Sequence, residues 1–391
     1  MATRLRGEDE RVTPLELFFD LVFVLALTQC TTLIAHEPTW RGLAKGLLVL
    51  AVLWWSWAGY AWLTSVVDSE DDLVRLSIFA AMAAFLVAAL CVPHAFGNDA
   101  AVFAGAYGVV RTAHIALFLL ASRQDPGLRK AVLGLAVSSA AATGLLFAAS
   151  FTDGGLQGGL WVAALVLDLG VPAVLIDPSG WRLVPRHFAE RHGLIVLIAL
   201  GESVVAIGVG AEIGVTVGTA TAAVLALIVT AALWWLYFDI VALVAARRLE
   251  NAEPGAERNA IGRDSFSFLH LPMVAGIALI AVGLKKTLAD VDGHLHDVPA
   301  AALFGGAALY LLAHVAFRWR NIHTFNRQRT VVAIVCVALV PAAVRVPALA
   351  ALGGLTVLLG GLVTYERLRF AETRARLRSR LLHPELIEPD G

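Results

Sequence analysis

Charge is what this sequence has least of. Only 16% of its 391 residues are Asp, Glu, Lys or Arg, against 59% hydrophobic residues and a mean hydropathy of +0.76. A soluble domain carries about 25% charged residues, so the polar shell of a large water-facing fold is missing. The deficit is even in sign, 30 basic against 31 acidic residues with a net charge of −1, which leaves no basic surplus for a nucleic-acid partner. Cysteine is also scarce. Cys30, Cys91 and Cys336 each sit inside an apolar run, too scattered to supply the close ligand pairs of a Cys-rich metal site, and core packing is their expected role. No Walker loop, zinc-protease helix or nucleophile elbow is present, and nothing calls for a cofactor or names a catalytic group. A cleavable signal peptide is not expected either, because Glu16 and Asp20 interrupt the first apolar run where such a segment is uncharged.

What the sequence does have is long apolar runs, one after another. Segments such as "SIFAAMAAFLVAALCV" from Ser77 have no polar face for water, and about 20 apolar residues span a bilayer as a helix. In lipid each segment must satisfy its own backbone hydrogen bonds, so repeated runs of this length mean helices. The short alternating stretches of a transmembrane barrel are absent. Twelve spans are expected, at 14–36, 40–64, 72–93, 97–122, 128–151, 159–177, 190–212, 217–246, 264–289, 298–318, 328–345 and 348–368. Glycine-rich "DGGLQGG" from Asp153 and the breakers Pro93, Pro126, Pro178, Pro299 and Pro347 separate them. The lipid bilayer is the one partner the composition demands; the oligomeric state is not encoded legibly.

Most of the 30 Lys and Arg residues fall in loops on one side, from Arg4, Arg6 and Arg11 through Arg182, Arg186, Arg247, Arg248, Arg318 and Arg329 to the run Arg367–Arg380. The other side has Arg41, Lys45, Lys285, Lys286 and Arg345. Positive loops stay inside, so both termini are expected in the cytoplasm, with the arginine-rich tail solvated or bound to headgroups.

An internal repeat runs through the chain. "TAHIALF" (Thr112 to Phe118) matches "LAHVAFR" (Leu312 to Arg318), Trp54-Trp55 matches Trp234-Trp235, and Glu16 matches Glu190. The matches keep their order, as a duplication requires. The expected fold is therefore an all-α polytopic membrane protein with about twelve transmembrane helices in two parallel six-helix repeats: a cytoplasmic segment 1–13, a first half 14–177, a linker 178–189, a second half 190–368 and a basic tail 369–391. Repeats of this kind occur in transporters, with the site near the midplane between them.

Ionisable groups inside a span are costly and mark candidate sites. Thr13-Pro14-Leu15-Glu16 has the form of a capping box. Asp20 lies on the same helix face, about 6 Å deeper, and needs a cation, for which Arg75, Arg111 and Arg191 are candidates. Glu202 falls near the middle of the seventh span with Ser203 beside it, and Gly201 and Gly208 would allow close helix approach there. Glu190, Arg191 and His192 are expected at the cytoplasmic edge, where solvation explains them. Arg111 and His114 share a face of the fourth span. Arg111 is expected to pair with Asp20 or Glu202, and His114 with its repeat counterpart His314 either packs or relays protons. Asp168, Asp239 and His270 have no evident partner. The aromatic cluster Trp54, Trp55, Trp57, Tyr60 and Trp62 suits packing, or the wall of a constriction. Asp292, His294, His296 and Asp297 in one outside loop are ligand types for a divalent metal, but short loops are polar in any case, and no metal is expected.

"VTPLELFFDLVFVLALTQ" (Val12 to Gln29) and "ERHGLIVLIALGESVVAIG" (Glu190 to Gly208) resemble the two signature segments of the bacterial low-temperature-requirement A family. That resemblance implies a bacterial inner-membrane protein and marks Glu16, Asp20, Glu190, His192, Glu202 and Ser203 as motif positions. It supplies no substrate. "FFD" (Phe18 to Asp20) is also similar in place to a Phe-Ser-Asp motif of lysosomal potassium channels with two six-helix repeats, but the second half here aligns Leu194 with Asp20 and lacks the motif. The reading these features favour is a secondary transporter, proton-coupled, of a small solute or ion, with Glu202 carrying the proton and Asp20 and Arg111 forming a switchable pair. The alternatives are a cation channel, an enzyme with its site at the cytoplasmic face, and a scaffold or sensor.

Overall fold

The computed structural model describes residues 11–68, 71–211, 214–372 and 374–376. Arg4, Arg6, Arg378, Arg380 and most of the segments 1–13 and 377–391 lie outside the described residues. The described chain is α-helical, with no strand among the described residues; His294 and Pro347 form an isolated bridge. Among the described residues, twelve long helices appear where twelve spans were expected. They are α1 Pro14–His36, α2 Trp40–Thr64, α3 Asp72–Cys91, α4 Ala100–Ala121, α5 Pro126–Ala149, α6 Gly154–Val174, α7 Pro185–Gly210, α8 Val217–Phe238, α9 Ala256–Ala289, α10 Asp297–Ile322, α11 Arg327–Ala343 and α12 Ala348–Arg369. Eleven spans among the described residues are long and apolar enough to cross a membrane; α11, at 17 residues, is shorter.

Local chemistry sets the ends. Thr13 caps α1 in a true capping box with Glu16, Thr39 caps α2, Asp71 α3, Asp125 α5 and Thr216 α8, each side-chain oxygen taking a backbone N–H that the first turn leaves unpaired. Several boundaries differ from expectation: α8 ends at Phe238 rather than near 246, α9 starts at Ala256 rather than 264, and two others have a clear local reason. The glycine-rich stretch after Asp153 opens α6 rather than forming a loop, because in lipid a glycine backbone has no water to turn to and keeps its helical bonds. α7 begins at Pro185, five residues early, with proline in the first turn where its missing N–H costs nothing.

Two helices contain π-helical stretches, Gly262–Phe268 in α9 and Ala301–Gly305 in α10. Such widened turns free backbone carbonyls and often mark functional positions. Here the Ser267 carbonyl accepts from the indole of Trp54 at 2.8 Å, and the Ser267 hydroxyl from that of Trp62 at 2.8 Å.

The chain divides into two compact units, residues 1–198 with 252–271, and residues 199–251 with 272–391. In the first, α2 is the core element, 78% buried over its apolar window, while α6 is only 28% buried. Trp54, Trp57 and Tyr60 of α2 are fully buried. Trp54 and Trp57 pack at 4.8 Å, and Tyr60 donates to the Val110 carbonyl at 3.0 Å. Apolar residues face outward on the peripheral helices: Leu76, Val137, Val166 and Val174 are between 61% and 80% exposed. Water would reject such a surface, and lipid accepts it. In the second unit the core elements are α9 from Pro272 on and α10, the two helices being 78% and 72% buried over their apolar windows, and Tyr310 donates to the Leu233 carbonyl at 2.8 Å. Close helix approach occurs at Gly276, Gly283 and Gly306, not at Gly201 or Gly208. A Cβ on Gly201 or Gly208 would meet nothing within 4 Å, whereas one on Gly276 would lie 2.7 Å from the Gly306 carbonyl oxygen. Gly201 and Gly208 thus do not serve the packing role expected of them.

Candidate functional site

The densest polar cluster of the first unit forms where α1 meets the start of α7. Each helix carries two polar groups one turn apart, Glu16 and Asp20 on α1, His187 and Arg191 on α7. They pair in order as two rungs: His187 Nε2 lies 2.9 Å from Glu16 Oε1, and Arg191 Nη2 lies 2.5 Å from Asp20 Oδ1. Asp20 Oδ1 also accepts from the Trp57 indole at 2.7 Å, and Arg191 Nη1 donates to Thr64 at 2.8 Å while standing 3.9 Å from Glu16. The Arg191 guanidinium lies 5.6 Å from the Trp57 ring centroid, a cation–π contact. Glu16 thus keeps its capping role and adds a hydrogen bond to His187.

His192 follows with its Nδ1 at 2.8 Å from the Phe188 carbonyl and its ring edge-on to Trp57 and His270, at 5.1 and 5.2 Å. Arg191 is 1% exposed and His192 0%, so solvation at a cytoplasmic edge does not explain them; of the three consecutive residues only Glu190 is exposed. His187 was not singled out by the sequence, although its spacing to Arg191 repeats that of Glu16 to Asp20. Asp20 Oδ2, Arg191 Nε and His192 Nε2 are buried with no hydrogen-bond partner among the described residues.

Arg111 pairs with neither Asp20 nor Glu202. Its Nη2 donates to Asp168 Oδ1 at 2.9 Å and its Nε to Ser139 Oγ at 3.0 Å; Ser139 donates to the same carboxylate at 2.8 Å, and Tyr107 completes the group through its hydroxyl. This ties α4, α5 and α6 together and accounts for Asp168. The switchable Asp20–Arg111 pair is therefore replaced by two separate, fixed pairs. His114, one turn from Arg111, bonds the Gly59 carbonyl through Nε2 at 2.9 Å.

In the second unit Glu202 and Ser203 are buried on α7 at 3% and 0% exposure. Arg329, counted from the sequence among the charges of the cytoplasmic side at the start of a span, is buried. It holds Glu366 through two parallel hydrogen bonds of 2.9 and 2.8 Å, donates to the Leu236 carbonyl at 3.2 Å, and its Nη1 meets His314 Nδ1 at 2.9 Å. That last bond requires the imidazole to present a lone pair at Nδ1, which puts its proton on Nε2. Arg374, just past α12, pairs with Asp239 rather than being solvated, and Arg367 lies over the Trp235 ring at 4.8 Å.

Each unit also holds a cavity. In the first it is about 50 Å³, bordered by Trp55, Gly59, His114 and Phe118. In the second it is about 370 Å³, bordered by Trp235, Asp239, His314 and Arg318. Of the aromatic cluster, Trp55 thus lines a wall while Trp54, Trp57 and Tyr60 pack. The larger cavity is ringed by charge, with Arg318, Arg329, Arg374, Asp239 and Glu366 all on its border. For the loop after α9, no group of three or more His, Cys, Asp or Glu among the described residues is placed to hold a metal. Asp290 instead accepts from the Gly293 amide at 2.9 Å, closing a turn.

Twelve long helices, apolar outer faces and ion pairs sealed inside define a multi-pass α-helical membrane protein. The model of the bacterial low temperature requirement A protein (LtrA) matches residues 11–364, and the chain belongs to that family. It is also similar to an uncharacterized protein of Rhizobium meliloti (strain 1021), 31% identical over 310 residues that make up 76% of this chain and 74% of that one. No solved structure matches the chain.

Proposed function

We propose that this chain is a secondary transporter of a small solute in the bacterial inner membrane, with both termini in the cytoplasm. The observation that carries the reading is the charged cavity of the second unit. A volume of about 370 Å³ is in the range of ligand sites for small molecules, and buried ionisable groups around an open volume mark solute pathways in membrane proteins. The ends of α8, α10 and α12 and the start of α11 build it, next to loops whose arginines favour the cytoplasmic side.

A duplicated architecture supports the same reading. Trp55 and Trp235, Gly59 and Asp239, His114 and His314, and Phe118 and Arg318 are equivalent positions of the sequence repeat, and each set borders the cavity of its own unit. Each six-helix half of the sequence also buries an arginine–carboxylate pair reaching its sixth helix, Arg111–Asp168 on α6 and Arg329–Glu366 on α12. In this proposal the first cavity, small and apolar at Phe118, is the structural copy, and the second, charged by Asp239 and Arg318, receives solute. Glu202 carries the coupled proton, with Ser203 beside it; Asp20–Arg191 holds α1 to α7 and does not move charge.

The test is flux in proteoliposomes with an imposed pH gradient and a panel of small solutes. One solute or class should dissipate the gradient, and Glu202→Gln should abolish that dissipation while leaving the protein folded. Unchanged dissipation across a broad panel overturns the proposal.

A further inference from the structure

Resting on the transport reading of the second cavity, we infer that its occupant is a small oxyanion, a carboxylate or phosphate group, bound by Arg318. Three arginines and two carboxylates border the cavity, so its charge is net positive. The two carboxylates are already engaged: Glu366 with Arg329 and Asp239 with Arg374. Arg318 is different. Its Nε donates to Thr324 Oγ1 at 2.7 Å, and among the described residues it makes no ion pair. Its two Nη groups are left to a ligand, and the planar guanidinium fork matches the two oxygens of a carboxylate or phosphate.

The neighbours hold the site in shape. Arg329 is fixed by Glu366, the Leu236 carbonyl and His314, so it adds positive potential without being able to swing into the cavity. Thr324, in the short connection between α10 and α11, orients the Arg318 fork. The comparison within the chain turns on which arginine lacks a counter-charge. The repeat counterpart of Arg318 is Phe118, and the cavity it borders is about 50 Å³; the two arginines on that border, Arg111 and Arg263, are each ion-paired, with Asp168 and Asp264. Replacing an aromatic ring by a guanidinium converts a packed pocket into an anion site. A cation would be repelled by an arginine that has no counter-charge of its own, and a neutral sugar would leave that charge uncompensated.

An oxyanion could arrive as a free solute or as a lipid headgroup, and the experiment separates them. Full-length protein is reconstituted in nanodiscs of phosphatidylcholine alone or with phosphatidylglycerol. Thermal stabilisation is then titrated with inorganic phosphate, acetate and, as the opposite charge, tetramethylammonium. In neutral nanodiscs phosphate or acetate should stabilise, and tetramethylammonium should not. Arg318→Gln should weaken the anion effect about tenfold or more, since a charge-assisted bidentate contact is lost, and Arg318→Lys should retain part of it. If phosphatidylglycerol removes the response to free anions, the headgroup is the ligand of this site; if the response persists, the free solute is. No anion effect in either membrane, or an unchanged Arg318→Gln titration, overturns the inference. Anion binding without flux would sink the transport reading alone; flux of a cation or neutral solute without anion binding would sink this inference alone.

Discussion

The two-rung contact between α1 and α7 makes a quantitative prediction. Asp20 is fully buried and accepts from both Arg191, at 2.5 Å, and Trp57, at 2.7 Å. Asp20→Ala leaves the Arg191 guanidinium, 1% exposed, with Thr64 and a carboxylate 3.9 Å away. Breaking a buried pair from one side costs about 3–5 kcal/mol, because a charge is left without its counter-charge. The nearby Glu16 softens that, so Asp20→Ala belongs near the lower end, about 3 kcal/mol. Arg191→Met removes the cation from both Asp20 and Glu16 and belongs near the upper end, about 5 kcal/mol. The double variant leaves no uncompensated charge between Asp20 and Arg191 and should be less destabilised than the sum of the two singles by at least about 1–3 kcal/mol. The assay is equilibrium unfolding of the reconstituted protein by SDS titration, followed by tryptophan fluorescence, run as a double-mutant cycle. Additivity within about 0.5 kcal/mol would refute the pairing. So would an Asp20→Ala variant as stable as the parent.

Three further outcomes follow from the same contacts. Tyr107→Phe removes a hydroxyl donor from the Asp168 carboxylate and should cost about 1.5–3 kcal/mol in the same unfolding assay; a neutral effect would mean Asp168 does not depend on that bond. Gly283→Ala should destabilise by about 1–3 kcal/mol through overpacking, because its Cβ would come within 2.8 Å of the Leu303 backbone, whereas Gly201→Ala, with nothing within 4 Å, should not. Equal effects at the two glycines would refute the assignment of the close contact. Fusing a reporter that fluoresces only in the cytoplasm, or a phosphatase active only outside it, to the C-terminus should give fluorescence and no phosphatase activity; the reverse pattern overturns the orientation drawn from the arginine-rich loops.

The sequence by itself determined the class, the number of long helices and most of their ends. Long apolar runs have only one solution in lipid, since each must satisfy its backbone bonds alone, and caps such as Thr13, Thr39 and Asp125 are local chemistry, legible from three or four consecutive residues. It also picked out Glu16, Asp20, Arg111 and His114 as buried polar groups of consequence. It did not determine their partners. A charge buried in a span says that a counter-charge exists, not which helix brings it, because several basic residues satisfy the same local requirement.

Only the tertiary structure decided that Asp20 meets Arg191, that Arg111 meets Asp168, and that Arg329, at the start of an expected span, is sealed against Glu366. One of these was foreshadowed: Glu16 and Asp20, and His187 and Arg191, share a four-residue spacing that places each pair on one helix face, a signal hidden because α7 starts before the apolar run that announces it. The cavities were not foreshadowed at all. Volume is what remains when side chains from separate helices fail to fill a space, and no stretch of sequence contains that information until the helices are packed.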